Sequence, residues 1–176
     1  MLRTEMVGRG MGAAEQGAGG GRWEVSPRTL IFVMNGTDVL LMKRGPHKRI
    51  FPNKYNGLGG HVERGEDVYT AASREVHEES GLTARDLRLR GVHHIDAGRD
   101  TGIMVFVFTA SCDTREVIAC DEGTLEWINR DHIAALDLVE DLPEILPRVL
   151  AMPDDAPPYF AHVSYDESDI ILIRYG

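Results

Sequence analysis

Cysteine is scarce in this chain: Cys112 and Cys120 are the only two among 176 residues. Their spacing fits neither a disulfide framework nor a zinc site, so they read as free thiols in a reducing, cytoplasmic setting. Long apolar runs are missing too. None approaches the roughly 20 residues a membrane-spanning helix needs, and the N-terminal "MLRTEMVGRGMGAAEQGAGGGRW" has no apolar block of a secretory signal. A membrane partner is therefore not expected. Positive charge is short: 19 basic residues stand against 28 acidic ones, a net charge of −9. Proteins that grip polymeric nucleic acid carry a basic surface. A phosphate ligand here should be small and accompanied by a cation. Internal repeats and linkers are also absent after residue 24. Residues 1–24, rich in Gly and poor in anything to bury, read as a flexible tail, and residues 25–176 as a single domain, monomeric or homodimeric.

What is present reads as strands broken by turns. "RTLIFVMNGTDVLLMKR" predicts a hairpin turning at Asn35-Gly36. "GPHKRIFPNKYN" follows as a loop with two prolines and several cations, and "GLGGHV" has room for a short strand. Residues 67–80 scan as a helix. "DLRLRGVHHIDA", "GIMVFVFTAS" and "TLEWIN" read as strands, "DLPEILPRVLAM" as a late helix, and "YFAHVSY" with "DIILIRYG" as a closing strand pair. Strands and helices do not alternate regularly, which points to an α+β domain with a mixed or antiparallel sheet. His93 and His94 are expected to be strand residues, and Trp127 a core residue.

The helix at 67–80 carries an anomaly. At about 100° per residue, Val68, Ala72 and Val76 share one stripe, which should face the core. Glu75 and Glu79 point into the same sector, and Glu78 flanks them. Carboxylates at the edge of a buried stripe are costly unless paired, and like charges at i and i+4 add repulsion. Arg74, four residues before Glu78, cannot neutralise all three. A divalent cation can, and clustered carboxylates with a backbone carbonyl suit Mg²⁺ or Mn²⁺. A solvated acidic helix is the competing reading of the helix alone. The preceding turn shifts the balance, because Gly57, Gly59 and Gly60 allow the backbone to approach a ligand closely. Asp67 or Glu66 can cap the helix start, and Gly81 can end it.

Gly60, Glu66, Arg74, Glu75, Val76, Glu78, Glu79, Gly81 and Leu82 fill the pattern G-x5-E-x7-R-E-U-x-E-E-x-G-U, with U aliphatic. This is the Nudix box, and on it the chain resembles the Nudix hydrolases. The resemblance implies an α/β/α sandwich with a mixed β-sheet, a loop–helix–loop site, and hydrolysis of a nucleoside diphosphate linked to another group with Mg²⁺ or Mn²⁺. It implies that Gly60, Glu75 and Glu79 hold the metal, that Glu78 is a third ligand or the base for water, that Arg74 orients the glutamates, and that Glu66 is structural. "KYNGLGGHVERGE" and "YFAHVSYDESDIILIRY" are further similar to the MutT-like oxidised-purine nucleoside triphosphatases. That likeness implies Glu122, five residues before Trp127, on the metal or the attacking water, and Asn56, Glu140 and Asp141 on the base. Leu138 replaces the tryptophan that stacks on the base there, and Tyr55 and His61 are further departures. Lys43 and Arg44, in a basic stretch with His47, Lys48, Arg49 and Lys54, are candidates for substrate phosphates. The implied activity is Mg²⁺-dependent cleavage of a nucleoside triphosphate to the monophosphate and pyrophosphate, with 8-oxo-dGTP-type nucleotides as substrate. Another nucleotide derivative (a pyrimidine triphosphate or ADP-ribose) or a non-catalytic nucleotide sensor are the alternatives.

Overall fold

The structure is a computed structural model that describes residues 21–176. Among them, eight strands form one mixed sheet: β1 (Glu24–Asn35), β2 (Asp38–Arg44), β3 (Tyr55–Asn56), β4 (Arg85–Ile95), β5 (Thr101–Ser111), β6 (Gly123–Asn129), β7 (Tyr159–Tyr165) and β8 (Ile171–Tyr175). Helix α1 (Val68–Ser80) follows β3, and a 3-10 helix (Arg130–Ala135) and α2 (Leu142–Ala151) follow β6. The order is β3-β2-β1-β5-β4-β7-β8, with β6 on the other edge of β2. β1 with β5 and β4 with β7 run parallel, and the remaining pairs are antiparallel.

Alternation along β1 builds the sandwich. Leu30 and Phe32 face one side, where Leu142, Ile145, Leu146 and Val149 of α2 pack. Ile31 and Val33 face the other, against Ala72 and Val76 of α1. A strand buried on both faces reads as a continuous apolar run, as "LIFV" does. The α/β/α arrangement expected for the fold is therefore present. No helix among the described residues is long and apolar enough to cross a membrane.

Some local expectations shift. Residues 1–20 of the expected tail lie outside the described residues. β1 starts at Glu24, ahead of the apolar run, because its parallel pairing with β5 begins at Glu24 and Thr101. Trp23 also packs, with its ring 4.7 Å from that of His94 and its indole N–H donated to the Arg99 carbonyl. The hairpin turns at Gly36-Thr37 and not at Asn35-Gly36, since Asn35 already pairs with Asp38. The Asn35 amide is used elsewhere, donating to the Cys112 carbonyl at 2.9 Å. "GLGGHV" holds single bridges, Leu58 to Ile31 and His61 to Arg28, instead of a regular strand.

Those bridges explain the glycines. β1 and β2 pair only over their last and first three residues, then diverge. Residues 55–61 fill the fork. Tyr55 and Asn56 pair with Lys43 and Met42 of β2, while Leu58 exchanges hydrogen bonds with Ile31 at 3.0 and 2.7 Å and the Thr29 N–H donates to the Gly60 carbonyl at 2.8 Å. Gly59 takes φ 135°, and a Cβ there would run into the Thr29 carbonyl. A Cβ at Gly57 would stand 2.9 Å from the Ile31 carbonyl oxygen. Gly65 contrasts with both: its φ is 93° but nothing lies within 4 Å. Gly65→Ala should therefore cost about 1–2 kcal/mol of backbone strain. Gly59→Ala, strained and blocked by backbone, should cost roughly 3 kcal/mol or more or prevent folding. Urea denaturation of the two variants checks this, and equal losses would remove the fork from the account.

Candidate active site

α1 is held at both ends before its side chains do anything. Asp67 caps its start, accepting from the backbone N–H groups of Tyr69 and Thr70 at 2.8 and 3.0 Å. Gly81 closes it at φ 74°, donating to the His77 carbonyl. With Ala72 and Val76 anchored in the core, the helix phase is fixed, and Glu75 and Glu79 have to turn toward the glycine segment.

They meet it closely. The Glu79 carboxylate accepts the Gly59 N–H at 2.9 Å. A Cβ on Gly60 would stand 2.5 Å from Oε1 of Glu75, so residue 60 can carry no side chain without displacing that carboxylate. The Gly60 carbonyl accepts from Thr29 and keeps a second lone pair. Glu75, Glu79 and Gly60 are therefore brought together, and the charge of Glu122 reaches Glu79.

Arg74 organises the rest. Its guanidinium donates to Glu66 at 2.7 Å, Glu75 at 2.9 Å, Glu78 at 2.9 Å and the His61 carbonyl at 3.1 Å. This spans both arms of the loop–helix–loop, and hydrogen bonding to Glu66 foremost holds Arg74 more firmly protonated than usual. It also draws Glu78 outward, where that side chain is exposed. Glu122 pairs with Lys48 at 2.6 Å. Accordingly, among the described residues no three Asp, Glu, His or Cys side chains are already gathered around one point as ligands. The donors still suit a hard divalent cation: two crowded carboxylates, a backbone carbonyl, and two exposed or half-exposed carboxylates held by cations that water can replace. Cys120 is nearby, but burial first and then the Glu79 charge push its thiol up, leaving it neutral and a poor ligand.

The residues matched to base and phosphates are spread wider. Asn56 accepts the Gly57 N–H on its own Oδ1 at 2.9 Å, which leaves its amide N–H₂ to donate. Glu140 is exposed. Asp141, at the start of α2, is partly buried with no side-chain cap bond, and burial raises its carboxyl. Leu138 is buried in the core beneath α2 and bridges Tyr55, so it presents no stacking surface. Lys43 lies over the Tyr55 ring at 5.6 Å. Arg44 donates from Nε to the Ile50 carbonyl at 2.9 Å, which stiffens the basic loop. Lys54 is tied to Asp137 at 2.8 Å, while His47 and Arg49 are exposed. Trp127 packs against the α1-side core and donates to the Arg115 carbonyl at 2.9 Å. His93 and His94 lie in β4. The pairings Lys48–Glu122 and Tyr55–Glu126 (3.1 Å) have no signal in the sequence, since each joins residues more than 70 apart in the chain. Two hollows, of about 450 and 360 Å³, lie against α2 away from the glutamates, and the smaller opens beside Glu140.

The NUDIX domain family model matches residues 25–149. The chain is 38% identical over 107 residues to an oxidized purine nucleoside triphosphate hydrolase of Danio rerio, covering 60% of this chain and 67% of that protein. It is 31% identical over 148 residues to the Mus musculus protein of the same name, covering 82% and 89%. Among solved structures, a MutT protein from Bacillus halodurans superposes with a TM-score of 0.72 at 24% identity, over 85% of this chain and 97% of that one. That last likeness concerns the fold alone.

The crowding has a measurable consequence. Burial foremost, with repulsion from Glu75 and Glu122, pushes Glu79 up to about 7 against the Gly59 hydrogen bond. Glu75 is also raised, again by burial. A carboxylate raised on folding binds its proton more tightly in the native state. Its contribution is complete below the ordinary value of 4.5 and is lost as pH rises through about 7. The melting temperature of the metal-free protein should therefore fall between pH 5 and about 7.5. Glu79→Gln should flatten that slope, and millimolar Mg²⁺ should restore stability mainly at the upper end, where the carboxylate is charged. A Glu79→Gln profile parallel to the parent's would refute this origin.

Proposed function

The chain belongs to the Nudix family, and from that premise we propose that it is a Mg²⁺- or Mn²⁺-dependent pyrophosphohydrolase that converts a nucleoside triphosphate to the monophosphate and pyrophosphate. It is a Nudix hydrolase with a complete box. The observation that carries the reading is the placement of Glu75 and Glu79 against Gly59 and Gly60, with Arg74 bonded to both Glu75 and Glu78. A structure selected for stability alone would not crowd two acids beside a close-packed backbone. A non-catalytic sensor could dispense with some of these acids, and this chain keeps them all.

Gly60, Glu75, Glu79 and Glu122 would hold the cation, and Mg²⁺ or Mn²⁺ when bound neutralises phosphate charge and lowers the pKa of water. Arg74 fixes the direction of Glu75 and Glu78 without touching substrate, and is thus a positioning residue. Glu78 is exposed and held only by Arg74, so it is free to accept the proton of the attacking water. The water oxygen bonds to phosphorus as the bridging oxygen opposite departs with pyrophosphate. Exposed Lys43, and Arg44 on the same strand, supply positive charge beside the triphosphate path.

On the substrate, similarity to two oxidized purine nucleoside triphosphate hydrolases favours an oxidised purine nucleotide, of the 8-oxo-dGTP type. Asn56, with its amide donor, and Asp141, whose carboxylate makes no helix-cap bond, suit a base that offers both acceptors and donors. Loss of stacking at Leu138 means that hydrogen bonds must carry more of the recognition.

Glu78→Gln and Glu79→Gln should each lower Mg²⁺-dependent pyrophosphate release by roughly 10²-fold or more with the far-UV dichroism unchanged. Near-parental rates for both would remove the carboxylates from the chemistry. A panel of canonical and oxidised triphosphates, ADP-ribose and dinucleoside polyphosphates, with products identified, decides the substrate. Within it, Asn56→Ala should weaken base discrimination more than it weakens turnover of an indifferent triphosphate.

A further inference from the structure

Among the described residues, two buried side-chain nitrogens lack a hydrogen-bond partner: Nε of Arg28 and Nδ1 of His93. They are not scattered. Arg28 pairs with Val105 across β1 and β5, and Val105 pairs with His93 across β5 and β4. All three share the face of the sheet that α2 covers, since Leu30 and Phe32 follow Arg28 at even spacing and Val105 packs on the same core. The row spans two strand spacings, roughly 10 Å, with an apolar floor between its polar ends. His93 is fully buried and already holds the Tyr159 hydroxyl at 2.8 Å. Arg28 is partly exposed, so it is the end a ligand can reach.

Arg28 has no ion pair and no hydrogen bond from its guanidinium to any described residue. The contrast within the molecule is sharp. Arg90, also on the sheet, donates to Thr109, to the Pro153 carbonyl and to Asp154, and Arg74 serves three glutamates. A half-buried cation without an acceptor is expensive, and burial alone depresses its affinity for the proton. Such a group calls for a reason outside the fold.

Position says which part of a substrate could supply the acceptor. The next residue, Thr29, bonds the Gly60 carbonyl, so Arg28 stands beside the catalytic turn. Its side chain, however, lies on the opposite face of β1 from α1 and the glutamates, where the phosphates belong. Asp141 at the start of α2 is on the Arg28 side. We propose that Arg28 is a specificity-determining residue that donates to the 6-carbonyl of a purine base, selecting 6-oxopurine nucleotides over 6-aminopurine ones. This rests on the triphosphate-hydrolase reading above. The selection follows from valence: a guanidinium carries donors only. It matches a carbonyl, which only accepts, and opposes an amino group, which presents its own hydrogens. The N1–H and 2-amino hydrogens of the same base suit the acceptor-only carboxylate of Asp141. Because the 6-carbonyl is common to guanine and its 8-oxo form, Arg28 reads the base and not the oxidation.

The test pairs Arg28→Leu and Arg28→Lys with the parent protein. Binding of 6-oxo- and 6-aminopurine deoxynucleoside monophosphates is measured by calorimetry, and kcat and KM are measured for the corresponding triphosphates. Arg28→Leu should reduce the 6-oxo over 6-amino preference roughly tenfold or more, chiefly through KM, as expected for a lost base contact. Its melting temperature should stay level or rise, because an uncompensated cation is removed, and Arg28→Lys should recover part of the preference. Equal losses on both bases would place Arg28 on phosphate or sugar and overturn the proposal, as would an unchanged preference with a lower melting temperature. Binding that depends on Arg28 without triphosphate turnover in the parent protein would leave this inference standing and remove the hydrolase reading. Turnover with an unchanged preference would do the reverse.

Discussion

The fit of residues 55–61 into the fork between β1 and β2 is the constraint on which the site depends. A sheet that splits exposes backbone N–H and C=O groups on both inner edges, and buried groups of that kind must be paired. The glycine segment pairs them on both sides at once. It can do so only because Gly57 and Gly59 lie flat against the carbonyls of Ile31 and Thr29. The same act of filling sets the backbone of Gly59 and Gly60 under the end of α1. Strand pairing and backbone hydrogen bonds thus fix the position of the glycine turn against α1.

Against that fixed turn the helix presents acids that repel one another. Arg74 holds the assembly in the absence of a cation by sharing one guanidinium among Glu66, Glu75 and Glu78. The arrangement is balanced, not relaxed: Glu79 is left to bear its burial with one N–H. Lys48 holds Glu122 in the same provisional way from the basic loop. A divalent cation would take over roles that Arg74 and Lys48 fill in part.

Much of this was legible in the order of residues, and the reason is locality. Asp67 as cap, Gly81 as terminator and the i, i+4 relation of Arg74 to Glu78 all act within a turn or two of one helix, where spacing alone sets direction. The alternating burial of β1 and β2 could likewise be read from adjacent residues. The hairpin turn was displaced by one residue because Asn35 still pairs with Asp38, while its side chain is tied to the distant Cys112 carbonyl. Leu138, aligned to a stacking position, is instead drawn into the core by its bridge to Tyr55.

The Nudix box, the phase that turns Glu75 and Glu79 inward, and the mixed α+β character of the domain were written in the order of residues, because they follow from periodicity and from residues a few positions apart. Tertiary packing was needed to bring Glu122 to Lys48, to leave Asp141 at the start of α2 without a side-chain cap bond, and to stand Arg28 half-buried with no acceptor among the described residues. Each of these depends on which strands become neighbours. An unpaired charge is a property of everything around it, and no local pattern can report what fails to arrive.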